Sequence, residues 1–260
     1  MNEYIAGGIS GLVEVLLTHP LDYVKTKHQL YTQKNNKNNI NFYKYLYRKN
    51  KIVDYYTGIS SRIVGVVPMR LLFWGTQNKV KSILNDKKID KWYNFLIIGS
   101  TSGTIQTCVD NQIEIIKTSL IEKKEVKIKN LLKFNGFFPT LYRNVIFVNI
   151  LSSVCHNFKF RNNREKFQYS SMAGLGGSII SQPFDYVKTI KQSQESNIYY
   201  KDHNIKKFNT FKIINIILRD NPKILFTGWE LRGSLSFFPV FSFKYCVSSL
   251  ISAGKRYPTP

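Results

Sequence analysis

Three short segments of this chain carry the same arrangement of charge, an acid followed three residues later by a lysine. An acid and a base at this spacing lie on one face of a helix and can pair with each other. Three such helices around a common axis allow a second arrangement, in which each acid pairs with the lysine of the next helix. That ring would act as a gate, which opens only when another interaction replaces its ion pairs. The segments are Asp22 with Lys25, Glu114 with Lys117, and Asp185 with Lys188.

Each acid-lysine segment follows a stretch that is poor in charge and contains several glycines, namely residues 4–21, 92–109 and 168–184. Each stretch approaches the roughly 17–25 residues that a helix needs to cross a bilayer, and small residues let neighbouring helices pack closely. Pro20 and Pro183 precede their acids by two residues. A proline removes a backbone donor, so a helix that continues through it must kink.

A second element recurs after each segment, a glycine that closes a lysine-rich connector and precedes another apolar stretch. These glycines are Gly58, Gly136 and Gly228. Self-similarity at a fixed period indicates a repeat architecture. The sequence therefore predicts one all-α membrane domain of six transmembrane helices in three pseudo-threefold repeats, at about residues 1–88, 89–164 and 165–260.

Composition and charge narrow the classes of function. The net charge of +22 invites a nucleic-acid interpretation, but no nucleic-acid-binding motif accompanies it. The basic residues concentrate in the connectors, where they suit anionic lipid headgroups. The three cysteines, Cys108, Cys155 and Cys246, have no metal-site or paired spacing. Neither a nucleophile with a base nor a phosphate-binding loop is visible, so we expect no metal, no cofactor and no enzyme activity.

The repeated segments resemble the signature of the mitochondrial carrier family, Pro-x-Asp/Glu-x-x-Lys/Arg in each of three repeats. Gln112 stands where the second proline is expected. The resemblance covers essentially the whole chain and implies that the six repeated charges form the matrix-side gate of a transporter. It also implies kinks at Pro20 and Pro183, and a brace for the gate from glutamines nine residues after these prolines, Gln29 and Gln192.

The resemblance also implies that substrate contacts lie seven and eight residues after each connector glycine. An arginine followed by a polar residue in the second repeat is similar to carriers of carboxylates and keto acids, and the first repeat is similar to the oxodicarboxylate branch. A guanidinium can bind a carboxylate through two parallel hydrogen bonds. The contact positions are Gly65 and Val66, Arg143 and Asn144, and Leu235 and Ser236.

Further charges fall inside the apolar stretches, where an ionisable residue indicates a functional site. Arg70 and Lys244 either line the same cavity or steer anions at its far mouth. Arg62 and Arg232 each follow their glycine by four residues, which favours a role at the entrance rather than in binding.

We therefore expect a monomeric antiporter that exchanges small anionic metabolites, an oxodicarboxylate or a related carboxylate, by alternating access. Its location would be the mitochondrial inner membrane of its own cell or of a host, in contact with lipids such as cardiolipin. Three alternatives stay open at this point. They are a nucleotide or deoxynucleotide carrier of the same fold, a membrane scaffold that transports nothing, and a soluble basic binding protein.

Overall fold

The computed structural model describes residues 2–35, 41–86, 93–126, 131–132, 134–157, 162–193 and 205–234. Within these ranges every regular element is a helix. The α-helices are α1 (Asn2–Asn35), α2 (Asn41–Lys49), α3 (Ile59–Asp86), α4 (Asn94–Ile121), α5 (Phe137–Asn157), α6 (Asn163–Gln192) and α7 (Thr210–Asp220). Short 3-10 helices cover Ile52–Tyr56, Ile205–Lys207 and Pro222–Phe226. Residues 229–234 begin a further helix.

The three acid-lysine segments lie on α1, α4 and α6, which are 34, 28 and 30 residues long. Both α1 and α6 continue through their prolines, Pro20 and Pro183, and α4 passes through Gln112 without a proline. The helical architecture agrees with the expected fold class. None of the described helices has an apolar stretch long enough to qualify it as a membrane span. The six spans and the three repeat boundaries stay predictions, and the last expected span lies mostly outside the described residues.

The helices α1, α4 and α6 contact one another pairwise, so they enclose a common axis. Around them, α3 packs against α1 and α4, while α5 packs between α4 and α6. The chain thus alternates between inner helices, which carry the repeated charges, and outer helices, which follow the connector glycines.

Two small apolar cores hold the connectors of the first and third repeats against the inner helices. Tyr23 on α1 packs with Phe42 and Leu46 of α2. The equivalent residue on α6, Tyr186, packs with Ile213 and Ile217 of α7, among others. Both tyrosines are almost fully buried. Because each core lies directly beside an acid-lysine segment, α2 and α7 fix the ends of α1 and α6 where the charges meet.

The three connector glycines adopt a left-handed backbone, with φ of +84° at Gly58, +80° at Gly136 and +78° at Gly228. Only glycine takes this conformation without a steric penalty. A Cβ atom would also lie 3.4 Å from Lys117 Cγ at Gly58, 2.9 Å from Gln192 Cγ at Gly136 and 3.1 Å from Lys25 Cγ at Gly228. Each turn therefore packs against the inner helix of the next repeat, in cyclic order.

Candidate functional site

The six repeated charges meet where α1, α4 and α6 converge. Lys117 Nζ lies 2.8 Å from Asp22 Oδ2, which joins α4 to α1. Lys188 Nζ lies 3.1 Å from Glu114 Oε2, which joins α6 to α4. Lys25 forms an ion pair with Asp185 and closes the circle from α1 to α6. Each acid thus pairs with a lysine of another repeat. We call these six residues the ion-pair ring.

The ion-pair ring is buried, since none of its six side chains exposes more than 10% of its surface. Two of its lysines also pair with the acid of their own helix, Lys117 with Glu114 at 2.7 Å and Lys188 with Asp185 at 3.5 Å. Removing one partner of a buried ion pair leaves an uncompensated charge and costs about 3–5 kcal/mol. The ring therefore holds the three helix ends together, and separating them requires replacement interactions.

Gln29 lies directly against the ring. Its Nε2 atom donates to Asp185 Oδ2 at 3.0 Å, and its Oε1 atom accepts a hydrogen bond of 2.6 Å from Thr189 Oγ1. It therefore spans the junction of α1 and α6 beside the pair between Lys25 and Asp185.

Gln192 occupies the equivalent position on α6 but has a different partner. Its Nε2 atom donates to Asn111 Oδ1 at 3.1 Å. Thr140 Oγ1 donates to the same amide oxygen at 3.3 Å. Gln192 thus joins α6 to α4 through a neutral amide rather than through a charge of the ring, and its role as a brace stays a prediction.

Arginines from the outer helices add a second layer of positive charge to the ring. Arg62 on α3 donates to Asp22 Oδ2 at 2.6 Å. Arg232 lies 3.7 Å from Asp185 Oδ1 and donates to Ser181 Oγ at 2.8 Å. Both residues thus contact acids of the ring, and their expected role at the entrance stays a prediction.

Arg143 on α5 lies within the same network. Its Nη1 atom is 3.1 Å from Asp185 Oδ1 and 3.9 Å from Glu114 Oε1, and its Nη2 atom forms an ion pair with Asp110 of α4. The Oδ1 atom of Asn144 accepts from Arg143 Nε at 3.0 Å and from Nη2 at 2.9 Å. The predicted substrate arginine therefore contacts two acids of the ring and a third carboxylate one helical turn away.

Comparisons with known proteins agree with this geometry. Residues 1–88 match the family model described as mitochondrial carrier protein. The mouse mitochondrial 2-oxodicarboxylate carrier is 27% identical over 251 residues, which cover 84% of this chain and 82% of that protein. By these comparisons the chain is similar to the mitochondrial carrier family.

Two fungal proteins are also similar to this chain. A probable mitochondrial 2-oxodicarboxylate carrier of Schizosaccharomyces pombe is 24% identical, with 72% of each chain covered. The mitochondrial aspartate-glutamate transporter of Saccharomyces cerevisiae is 22% identical, and the match covers 86% of this chain and 30% of that protein.

Of the other residues that are predicted to contact the substrate, those that the structure describes lie apart from the network around Arg143. Gly65 lies on α3 against Ile113 of α4, which fills the space where a side chain would be, and Val66 is buried. The backbone of Arg70 belongs to α3, and its side chain lies outside the described part of the chain. Leu235, Ser236 and Lys244 also lie outside the described residues.

Sequence reasoning did not assign Asp110, Arg62 and Arg232 to the charged network, although two signals pointed to them. Asp110 precedes Glu114 by four residues, so both acids share one face of α4. Arg62 and Arg232 follow their glycines at the same spacing. In the second repeat this position holds Thr140, and Arg143 supplies the charge from almost one turn further along α5.

Proposed function

We propose that this carrier exchanges small anionic metabolites, of the 2-oxodicarboxylate class or closely related, across the mitochondrial inner membrane by alternating access. The observation that carries the proposal is the closed ring of inter-repeat ion pairs with Arg143 bound to one of its acids. By resemblance to the family, the ring is the matrix-side gate, and the chain adopts the state in which that gate is shut.

The distribution of polarity supports a membrane location. The space between α1, α4 and α6 is filled with charged and polar side chains, whereas apolar side chains on the same and neighbouring helices point outward and are exposed. Exposed apolar side chains that gather into a patch indicate contact with a membrane or a partner. Examples are Leu16 and Leu17 on α1, Val64 on α3, and Met172 and Ile180 on α6.

Arg143 links the substrate to the gate. A substrate carboxylate that takes hydrogen bonds from this guanidinium removes one of the cations that neutralise Asp185, and the ring loses part of its stabilisation. A ligand shifts a conformational equilibrium only by its difference in affinity for the two states. The bound anion therefore has to interact more favourably with the state in which the ring is open, and an empty carrier lacks this compensation. Obligatory exchange of one anion for another follows.

The connectors offer a surface for anionic lipids. Lys44, Arg48 and Lys49 of α2, together with Tyr45, line a surface cavity of about 550 Å³. Cations at a membrane surface attract anionic headgroups, and the tyrosine ring suits the boundary between headgroups and acyl chains. We place the lipid contacts of the carrier here, with cardiolipin as the expected ligand.

Transport by the purified protein in liposomes tests the proposed function. The panel consists of 2-oxoadipate, 2-oxoglutarate, L-aspartate, L-glutamate, ATP and dATP, each as external substrate against the same internal substrate. We expect the 2-oxodicarboxylates to exchange fastest. Arg143→Gln should lower that rate at least about tenfold, the equivalent of 1.4 kcal/mol.

Arg219→Gln is the matched control, because Arg219 is an exposed residue at the end of α7. It removes the same charge and should leave the rate unchanged. Preference for ATP or dATP would replace the proposed substrate with a nucleotide. Absence of exchange with every compound would favour a membrane scaffold that transports nothing.

A further inference from the structure

Asp110 accepts hydrogen bonds from Arg143 and Asn144, the two residues that are predicted to bind the substrate carboxylate. Arg143 Nη2 forms an ion pair with Asp110 Oδ2. Asn144 Nδ2 donates to the same Oδ2 atom at 2.9 Å. A single internal carboxylate oxygen therefore accepts from both members of the predicted contact pair.

The side chains around Asp110 are buried and fixed by several hydrogen bonds. The side chains of Arg143 and Asp110 expose only 11% and 13% of their surface. Asn144 is held from two sides, because its Nδ2 atom also donates to Thr107 Oγ1 at 3.1 Å and its Oδ1 atom accepts from Arg143. Thr107 and Asp110 are three residues apart on α4, so one face of that helix presents the whole acceptor set to α5.

We propose that Asp110 is a specificity-determining residue, an internal carboxylate that competes with the substrate carboxylate for Arg143 and Asn144. This inference rests on the proposed function. In the shut state Asp110 neutralises the guanidinium and satisfies the amide, so that neither donor is buried without an acceptor. A substrate binds there only when its carboxylate replaces Asp110, and the affinity for the substrate is reduced by the strength of the internal pair.

Displacement of Asp110 also acts on the ion-pair ring. Asp110 lies one helical turn before Glu114, and like charges at this spacing repel each other. While Arg143 lies between them, 3.9 Å from Glu114 Oε1, it screens both acids. A substrate that draws the guanidinium toward itself leaves two carboxylates facing each other on α4. Displacement of Asp110 thereby couples binding of the substrate to weakening of the ion-pair ring.

An alternative role for Asp110 makes the opposite prediction. If Asp110 binds the ammonium group of an amino acid while Arg143 binds its carboxylate, Asp110 is part of the site and not a competitor. Loss of its charge would then weaken transport of aminodicarboxylates. The two roles differ in the sign of the effect, so one substitution separates them.

The experiment measures the concentration of external 2-oxoadipate that gives half-maximal exchange in proteoliposomes. Asp110→Asn keeps the shape of the side chain and removes its charge, and it should lower this concentration by about tenfold. Asp110→Glu keeps a carboxylate and should stay closer to the wild type. Asp220→Asn removes an exposed carboxylate at the end of α7 and should change nothing. An unchanged or raised half-saturation concentration for Asp110→Asn would overturn the proposal, as would a selective loss of L-aspartate and L-glutamate exchange.

Thermal unfolding of the detergent-purified protein gives a second readout that does not need transport. A ligand that binds the folded state raises its unfolding temperature according to its affinity. At equal concentrations, 2-oxoadipate should raise the unfolding temperature of Asp110→Asn more than the unfolding temperature of the wild type. A dicarboxylate that binds but is not exchanged still shifts the unfolding temperature, so failure of transport alone leaves this test of Asp110 intact. Equal shifts in the two proteins would overturn competition at Arg143 only, whereas no shift in either protein would overturn the proposed substrate together with the competition for it.

Discussion

Asp22 precedes Lys117 by 95 residues, and its Oδ2 atom accepts a hydrogen bond of 2.8 Å from Lys117 Nζ. The pair joins the inner helix of the first repeat to that of the second. The same relationship recurs from Glu114 to Lys188 and from Asp185 to Lys25. Because every repeat supplies an acid to one neighbour and a lysine to the other, no pair of the ring can separate without moving a shared helix.

A double-mutant cycle on this pair tests whether the ring stabilises the shut state. Asp22→Asn leaves Lys117 paired with Glu114 at 2.7 Å, and Lys117→Gln leaves Asp22 paired with Arg62 at 2.6 Å. Each variant should therefore lower the free energy of unfolding, but by less than the roughly 3–5 kcal/mol of a buried charge left with no partner. The double variant removes both charges, so its cost should be smaller than the sum of the two single costs. Thermal unfolding in detergent measures the three variants against the wild type.

Lys81→Gln serves as the control for loss of a lysine, because Lys81 is an exposed residue in the last part of α3. Substitutions of exposed residues usually change stability by no more than about 0.5 kcal/mol, so the unfolding temperature of this variant should stay near that of the wild type. Strict additivity of Asp22→Asn and Lys117→Gln would mean that the two residues act independently.

The two glutamines that follow the inner-helix prolines should differ in their contribution to stability. Gln29→Met removes a hydrogen bond to the charged Asp185 and should cost about 1.5–3 kcal/mol, whereas Gln192→Met removes one between neutral amides and should cost about 0.5–1.5 kcal/mol. Methionine preserves the length of the side chain, which keeps the change in packing small. The unfolding temperatures of the two variants show which substitution destabilises the protein more. A larger loss of stability for Gln192→Met would contradict the assigned contacts.

The sequence predicted which charges lie together, because an acid and a lysine at one spacing recur three times and repeats place equivalent residues around an axis. The three connector glycines were visible as a repeated element, and the structure adds that each has a left-handed backbone. The partners of Arg143 were not predicted. Asp110 belongs to no repeated motif, and only the packing of α5 against α4 brings the two side chains together.

The contacts of Arg62 and Arg232 also could not be predicted from the sequence. Their shared spacing from a glycine was visible in the sequence, but spacing along one helix does not tell which face another helix covers. In the structure α3 turns Arg62 toward Asp22, and Arg232 reaches Ser181 and Asp185 of α6. The spacing from the glycines favoured an entrance role, which stays a prediction, but it could not indicate the contacts with the acids of the ring.

The central claim is that an anion bound through Arg143 replaces interactions of the ion-pair ring and so allows the carrier to open. Uptake of labelled 2-oxoadipate into proteoliposomes with and without internal 2-oxoadipate tests it most directly. We expect rapid uptake into loaded vesicles, at least about tenfold slower uptake into empty ones, and loss of the difference in Arg143→Gln. Equal uptake into empty and loaded vesicles by the wild type would contradict the claim, because the ring would then open without a bound anion.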